Sequence, residues 1–212
     1  MKKAVIFDMD GTLWDSVDEI VESYVNRRGN VPMTCPEMHI RREQLIGLMG
    51  KTMDCFAREL LPEYEMDQAM EIIHACERDE NVYLSHVGAT LYGDVRKVFE
   101  RLRGMGYEIG IVSNCQAGYI EVFLEYYHLG DLVADIECYG NTQQQKDVNL
   151  KALIERNHYE TYYYLGDTQG DYNACQKAGI PFLFAAYGFG TVDAQVPQVE
   201  SLEQLPEVMK YL

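Results

Sequence analysis

The chain opens on an unbroken apolar run, Ala4-Val5-Ile6-Phe7, that delivers Asp8-Met9-Asp10 directly into Gly11. Continuous apolar character over so short a stretch predicts a strand covered on both faces, as in a parallel sheet. From about residue 15 to 88 the texture differs. Apolar residues recur at helical spacing, first Val17, Ile20, Val21 and Tyr24 and later Met66, Ala69, Met70 and Ile73, and strand signals are nearly missing. Beyond Asp94 the pattern alternates. Val95, Val98, Phe99 and Leu102 line a helix that Gly104 and Gly106 end. Tyr107 to Val112 then reads as a strand, Tyr119 to Tyr127 as a helix, Asp135 to Tyr139 as a short strand and Val148 to Asn157 as a helix. Thr161 to Leu165 and Ile180 to Ala185 supply two more strands, separated by a helix from Tyr172 to Ala178. Alternation of this kind predicts an α/β fold, and the first strand belongs with the later ones. The helical block is then an insertion folded over one end of the sheet.

This arrangement puts chemistry at strand ends. Asp8 emerges at the carboxyl end of its strand, the edge where open α/β sheets place their ligands. Gly11 can adopt backbone angles closed to other residues and lets an anion approach its amide. Val112 runs into Ser113-Asn114, a hydroxyl and an amide suited to phosphate oxygens or substrate. Leu165 runs into Gly166-Asp167-Thr168-Gln169-Gly170-Asp171, a second acidic loop, and Lys146 lies between these in sequence, near the start of a helix. Taken singly, each signal is ordinary. Asp-x-Asp-Gly also makes a surface turn, Asp167 and Asp171 suit turns or helix caps, and an isolated lysine is normally solvated.

Composition narrows the class. A chain of 212 residues has length for one large domain or a core with an insertion. Its formal charge of −16 argues against nucleic-acid binding, because no basic excess meets the phosphates. A phosphorylated metabolite remains compatible, since a bound divalent cation can reverse the field inside a pocket. Cysteines at 35, 55, 76, 115, 138 and 175 form no zinc half-site and read as small buried or partly buried side chains. There is no signal-type leader and no run of membrane-spanning length, so a cytoplasmic setting without membrane attachment is expected. Oligomeric state is left open.

In order and context, Asp8-Met9-Asp10-Gly11-Thr12-Leu13, Ser113-Asn114, Lys146 and Gly166-Asp167-Thr168-Gln169-Gly170-Asp171 resemble the four motifs of the haloacid-dehalogenase-like hydrolase superfamily, most closely its phosphoglycolate-phosphatase-like members. The resemblance covers essentially the whole chain. It implies a Rossmann-like parallel-sheet core of 1–14 and 89–212 with an inserted helical cap of 15–88, hinged near 13–15 and 86–89. It also implies a Mg²⁺-dependent phosphatase acting on a small phosphomonoester, phosphoglycolate-like or a sugar phosphate. On that resemblance Asp8 attacks phosphorus to form an aspartyl-phosphate, and Asp10 is the general acid and base. Asp8, Asp167 and the backbone carbonyl of Asp10 bind Mg²⁺, and Asp171 orients the metal's surroundings. Ser113 and Lys146 hold phosphate oxygens, while Thr12 helps position the phosphoryl group or its loop. Asn114 either contacts the leaving group or maintains its own loop. One departure stands out: Lys146 precedes Asp147-Val148-Asn149, where many related phosphatases have prolines.

Other readings of these residues compete. A sugar phosphomutase of the same fold would return phosphate from Asp8 to a sugar, and a noncatalytic phosphate-sensing module would bind without turnover. Phosphonate hydrolysis would need a cap lysine with more context than Lys51 has, and dehalogenation fits poorly with the acid/base carboxylate of Asp10. Gly47-Leu48-Met49-Gly50-Lys51-Thr52 echoes a P-loop, but Leu45 stands where that pattern requires glycine, so a helix junction near the substrate is the better reading. Arg41-Arg42 reads as solvated charge rather than a substrate clamp, and His74 and His86 lack metal-ligand spacing.

Overall fold

The computed structural model describes residues 2–25, 36 and 38–212. Cys35 and part of the expected helical insertion lie outside the described residues.

Strand β1 (Lys3–Phe7) leads through the acidic loop to a two-residue strand, β2 (Trp14–Asp15). Among the described residues, four helices follow: α1 (Val17–Val25), α2 (Arg42–Ile46), α3 (Met53–Leu60) and the long α4 (Met66–Val87). The chain returns through β3 (Thr90–Leu91), which pairs antiparallel with β2. It then alternates through α5 (Val95–Gly104), β4 (Tyr107–Ser113), α6 (Tyr119–Tyr126), β5 (Val133–Cys138), the single turn α7 (Tyr139–Thr142) and α8 (Lys146–Asn157). The remaining elements are β6 (Thr161–Gly166), α9 (Gln169–Ala178), β7 (Phe182–Ala185), β8 (Gln198–Val199) and α10 (Leu205–Val208).

Six strands form one sheet in the order β5-β4-β1-β6-β7-β8, every neighbouring pair parallel. The first strand thus lies inside the sheet between β4 and β6, which is why its apolar run is continuous. Its side chains alternate between two apolar clusters. Ala4 and Ile6 pack with Leu150, Leu153 and Cys175 of α8 and α9, while Val5 and Phe7 pack with Val98, Phe99 and Leu102 of α5. The second cluster runs on into the helical insertion through Trp14, Leu45, Phe56 and Ile73. Trp14 is fully buried, edge-on to Tyr119 and Phe123 at 5.2 and 5.1 Å.

The expected α/β architecture with a helical insertion is therefore what the chain adopts. Two helices start earlier than the apolar pattern indicated, α8 at Lys146 and α9 at Gln169, because polar first turns carry no hydrophobic signal. The β2–β3 pair was not anticipated. Each strand has only two residues, too few for a period-two pattern, and the pairing ties the first expected hinge segment, 13–15, to the residues that directly follow the second, 86–89. Arg42 forms ion pairs with Asp15 and Asp18, tying α2 to the start of α1. Cys55 is partly buried, and Cys76, Cys115, Cys138 and Cys175 are buried free thiols. Among the described residues, no helix is long and apolar enough to cross a membrane.

Candidate active site

Parallel register assembles the site. Phe7 is in register with Ile111 of β4 and Leu165 of β6, and the Asp8 amide donates to the Leu165 carbonyl at 2.9 Å. Asp8, Ser113 and Asp167 therefore leave three adjacent strands at the same edge. Beyond Asp8 the chain turns tightly, with the Thr12 and Leu13 amides both bonded to the Met9 carbonyl. Gly11 sits at φ +80°, and a Cβ there would fall 2.1 Å from Asp167 Oδ2. Only glycine meets both demands, the positive φ and the close approach.

Lys146, 3% exposed at the start of α8, lies between two carboxylates. Its ammonium is 3.0 Å from Asp8 Oδ1 and 2.5 Å from Asp171 Oδ1, and 5.6 Å from the centre of the Tyr164 ring. Burial alone would favour the neutral amine, but Asp171 and Asp8 hold Lys146 charged, above its usual range. Asp171 gains the complementary benefit. Burial opposes its ionisation, yet Lys146 and the Thr168 hydroxyl and amide bring its carboxyl below the ordinary value. In the same contacts the Thr168 hydroxyl and Asp171 close a capping box at the start of α9, so one carboxylate both caps a helix and anchors Lys146.

Asp8 and Asp167 have the opposite balance. Burial, then the charge of Asp171, pushes Asp8 up to about 7 against the pull of Lys146. Burial, then the charges of Asp171 and Asp8, raises Asp167 well above the usual carboxylate range. Asp167 keeps two weak anchors, the Phe189 amide at 2.8 Å on Oδ2 and the Thr12 hydroxyl at 3.5 Å on Oδ1. One oxygen from each of Asp8, Asp167 and Asp171 lies within 4.8 Å of the others. Three carboxylates facing one ammonium leave two negative charges in excess if all ionise. Moreover, buried Asp8 Oδ1 accepts no well-formed hydrogen bond, since the nearby ammonium offers an ion pair without hydrogen-bond geometry. A hard, oxygen-seeking dication fits this donor set, and would favour ionised carboxylates where burial now opposes them.

Asp10 occupies a separate setting. Its Oδ1 accepts from the Ser16 hydroxyl at 2.6 Å and the Tyr119 hydroxyl at 2.7 Å. Burial raises its carboxyl, and these two donors oppose that rise without cancelling it. A carboxyl lifted above its ordinary range and fixed by two hydroxyls can give up and retake a proton. Asp10 also lines a cavity between sheet edge and insertion, together with Ser113, Asn114, Gly50, Lys51, Glu77 and Glu80. The Asn114 amide group donates to the Gly50 carbonyl at 2.8 Å, bridging core and insertion.

The structure thus brings Asp8, Thr12, Lys146, Asp167 and Asp171 into one buried cluster, with Asp10, Ser113 and Asn114 in the adjoining cavity. The Thr12 hydroxyl is directed at Asp167. Several participants escaped sequence reasoning. Ser16 stands in the one-residue link between β2 and α1, and Tyr119, Tyr164 and Glu80 come from helices or a strand whose local patterns describe packing only. The Tyr187-Gly188-Phe189-Gly190 loop did carry a signal, since glycines follow a strand at the same sheet edge, and a Cβ on Gly188 would lie 2.3 Å from the Gly11 carbonyl oxygen.

Known proteins give the same picture. The chain is 28% identical to a phosphoglycolate phosphatase of Aliivibrio fischeri, over 88% of this chain and 85% of that one. It is 26% identical to the corresponding protein of Rhodobacter capsulatus, over 100% and 93%. A haloacid dehalogenase-like family hydrolase of Streptococcus pneumoniae superposes with a TM-score of 0.75 at 19% identity, covering 99% of this chain and 98% of that one. The β-phosphoglucomutase of Clostridium difficile gives 0.74 at 13% identity, covering 100% and 96%, a likeness of fold alone. The matched family description, haloacid dehalogenase-like hydrolase, extends over residues 5–185, from β1 through β7 and across the whole carboxylate cluster. With that cluster, the match makes the protein a Mg²⁺-dependent hydrolase, and the chain belongs to the haloacid dehalogenase-like hydrolase family.

Proposed function

We propose that this Mg²⁺-dependent phosphomonoester hydrolase works through an aspartyl-phosphate on Asp8, with a small phosphorylated metabolite as substrate, phosphoglycolate-like or a sugar phosphate. The observation that carries this reading is the division of labour between two carboxyls two residues apart. Asp8 lies 3.0 Å from a buried ammonium and within a cluster suited to a dication, whereas Asp10 sits outside that cluster, held by two hydroxyls and facing a cavity.

Asp8 attacks phosphorus, and the bond from phosphorus to the leaving oxygen breaks as the bond to Asp8 forms. Asp10 gives its proton to the departing oxygen, then takes one from the water that cleaves the acyl phosphate. Lys146 and Ser113 supply positive charge and a hydrogen bond to the phosphoryl oxygens, with Lys146 fixed by Asp171. Asp8, Asp167 and the Asp10 carbonyl would hold Mg²⁺, which when bound neutralises charge on the transferring group. Asp171, whose oxygens already engage Lys146 and Thr168, orients these groups. Residues 15–88 act as the cap: they cover the reacting edge and exclude water during transfer.

Phosphate release from a panel of small phosphomonoesters, with and without Mg²⁺, tests the reading. Release is expected only with the metal, and Asp8→Asn is expected to remove it. Undiminished turnover by Asp8→Asn, with contaminating phosphatase excluded, defeats the nucleophile assignment. Interconversion of sugar phosphates without net release of phosphate would identify a mutase instead.

A further inference from the structure

On the mechanism proposed above the leaving group departs toward Asp10, and the cavity that Asp10 lines has a definite chemical bias. It measures about 30 Å³, room for roughly two or three water-sized groups. Through Met53, Glu77 and Gln116 it adjoins a second hollow of about 240 Å³. Two carboxyls of α4 line it. Glu80 is 5% exposed and held from both sides, its Oε1 accepting from Gln116 Nε2 at 2.6 Å and its Oε2 from the Tyr24 hydroxyl at 2.9 Å. Glu77 lines both hollows and pairs with His74 at 2.7 Å.

A second, independent feature points the same way. Asn114 Oδ1 is buried and accepts no hydrogen bond. The amide orientation is fixed, because its nitrogen donates to the Gly50 carbonyl, which can only accept. Asn114 therefore lines the same cavity as two carboxyls, and its orphaned buried oxygen calls for a donor. Of the cavity's residues Lys51 alone is cationic, and it is an exposed residue.

From these walls we infer that the pocket selects a small alcohol leaving group carrying a hydrogen-bond donor, a hydroxyl or an ammonium, and discriminates against one carrying a carboxylate, with Glu80 the main specificity-determining side chain. The inference rests on the phosphatase reading above. A donor-bearing leaving group satisfies Asn114 Oδ1 and meets the acidic wall favourably, whereas a carboxylate leaves the orphan unpaired and adds a negative charge beside Asp10, Glu77 and Glu80. Burial already disfavours an unpaired charge at this wall. Burial, and less strongly the charges of Asp10 and Glu77, push Glu80 up to about 8 despite its two donors. The pocket thus resists a further ionised carboxylate even from its own chain.

Three substrates of matched length separate the possibilities: 2-phosphoglycolate, 2-hydroxyethyl phosphate and 2-aminoethyl phosphate, ending in carboxylate, hydroxyl and ammonium. With Mg²⁺ present, kcat/KM for 2-phosphoglycolate is expected to fall about tenfold or more below the better of the other two. Above pH 8, where the Glu80 carboxyl is ionised, Glu80→Gln is expected to narrow that gap to about threefold, mainly through KM, by removing charge while keeping shape, and near pH 6 to change it little. Glu77→Gln provides the same test where the first variant folds poorly, and is expected to narrow the gap less. Turnover of 2-phosphoglycolate equal to or above the others overturns the inference while leaving the phosphatase reading intact. A preference that neither variant changes overturns the role of the acidic wall. No phosphate release from any of the three, or from p-nitrophenyl phosphate, overturns the phosphatase reading and the inference together.

Discussion

The sheet edge and the wall contributed by the insertion face the same substrate but are built on different principles. At the edge, Lys146 answers Asp8 and Asp171, a capping box fixes Asp171, and backbone register sets where Asp8, Ser113 and Asp167 can be. At the wall, Glu80 depends on two side-chain donors from separate elements, Tyr24 of α1 and Gln116 beyond β4, and Asn114 keeps an acceptor in reserve. The edge is specified by hydrogen bonds that the fold requires anyway. The wall is specified by side chains that can change while the sheet stays the same. On the proposed function, reaction chemistry resides at the sheet edge, and choice of substrate in side chains of the insertion and of the β4–α6 loop that meets it.

Breaking the edge is expected to have the largest effects. Asp8→Asn should lower phosphate release by about 10⁴-fold or more, since no second nucleophile replaces it. Asp10→Asn should retain substrate binding but reduce kcat by about 10²- to 10⁴-fold, the usual scale for a lost general acid. If the two variants lost only a few-fold in steady-state assays, the contrast between edge and wall would disappear.

Between the two regions lies Trp14, fully buried against Tyr119 and Phe123. Trp14→Ala should cost about 3–5 kcal/mol in denaturant unfolding, because it empties a junction that neither side can collapse to fill.

Wall substitutions should act more gently and with a distinctive pH signature. Glu80 titrates near 8 in the folded protein, against an ordinary value of 4.5. The folded state therefore binds the extra proton between those values, and its stability falls as pH rises through that window. Glu80→Gln removes the penalty. Relative to the parent, it should gain on the order of 2 kcal/mol between pH 5 and pH 8 in paired unfolding experiments. A constant difference across that range would show that the Glu80 carboxyl is no more strained than an exposed one. Tyr119→Phe should have the smallest effect. It deletes one of two hydroxyls on Asp10 Oδ1 and should lower kcat about tenfold with little change in KM.

The same contrast explains what could be read in the sequence. Chain order and apolar runs sufficed to place Asp8, Ser113 and Asp167 at strand exits, because parallel strands in register bring their ends together. Lys146 and Asp171 were legible through their place in the motif series, although nothing local showed that each would be the other's counter-ion. Glu80 shows where such reading stops. On α4 the buried stripe runs through Ala69, Ile73, Cys76, Glu80, Tyr83 and Leu84, so a carboxyl stands at a position the helical period assigns to the interior. The signal, an acid in an apolar stripe, is masked by the neighbouring acids of the same charged helix, of which Asp79 is buried as well. Ser16 and Tyr119 left no trace of this kind. Their partnership with Asp10 depends on how a loop and a helix far apart in sequence meet, and no spacing encodes that.

The two-residue pairing of β2 with β3 has a further consequence. Asp15 stands opposite Thr90, so the chain leaves the sheet-bearing body and comes back to it at one point. Everything between is covalently a side branch on one stem, although Asn114 and Gln116 also reach across to it. Changing its length alters the closure cost only slowly, by about 0.6 kcal/mol per doubling, and leaves the order of the sheet's crossovers as it is. A stem of this kind works as a splice point, through which evolution or an engineer can exchange one substrate-reading module for another while the strands that carry the nucleophile are inherited unchanged.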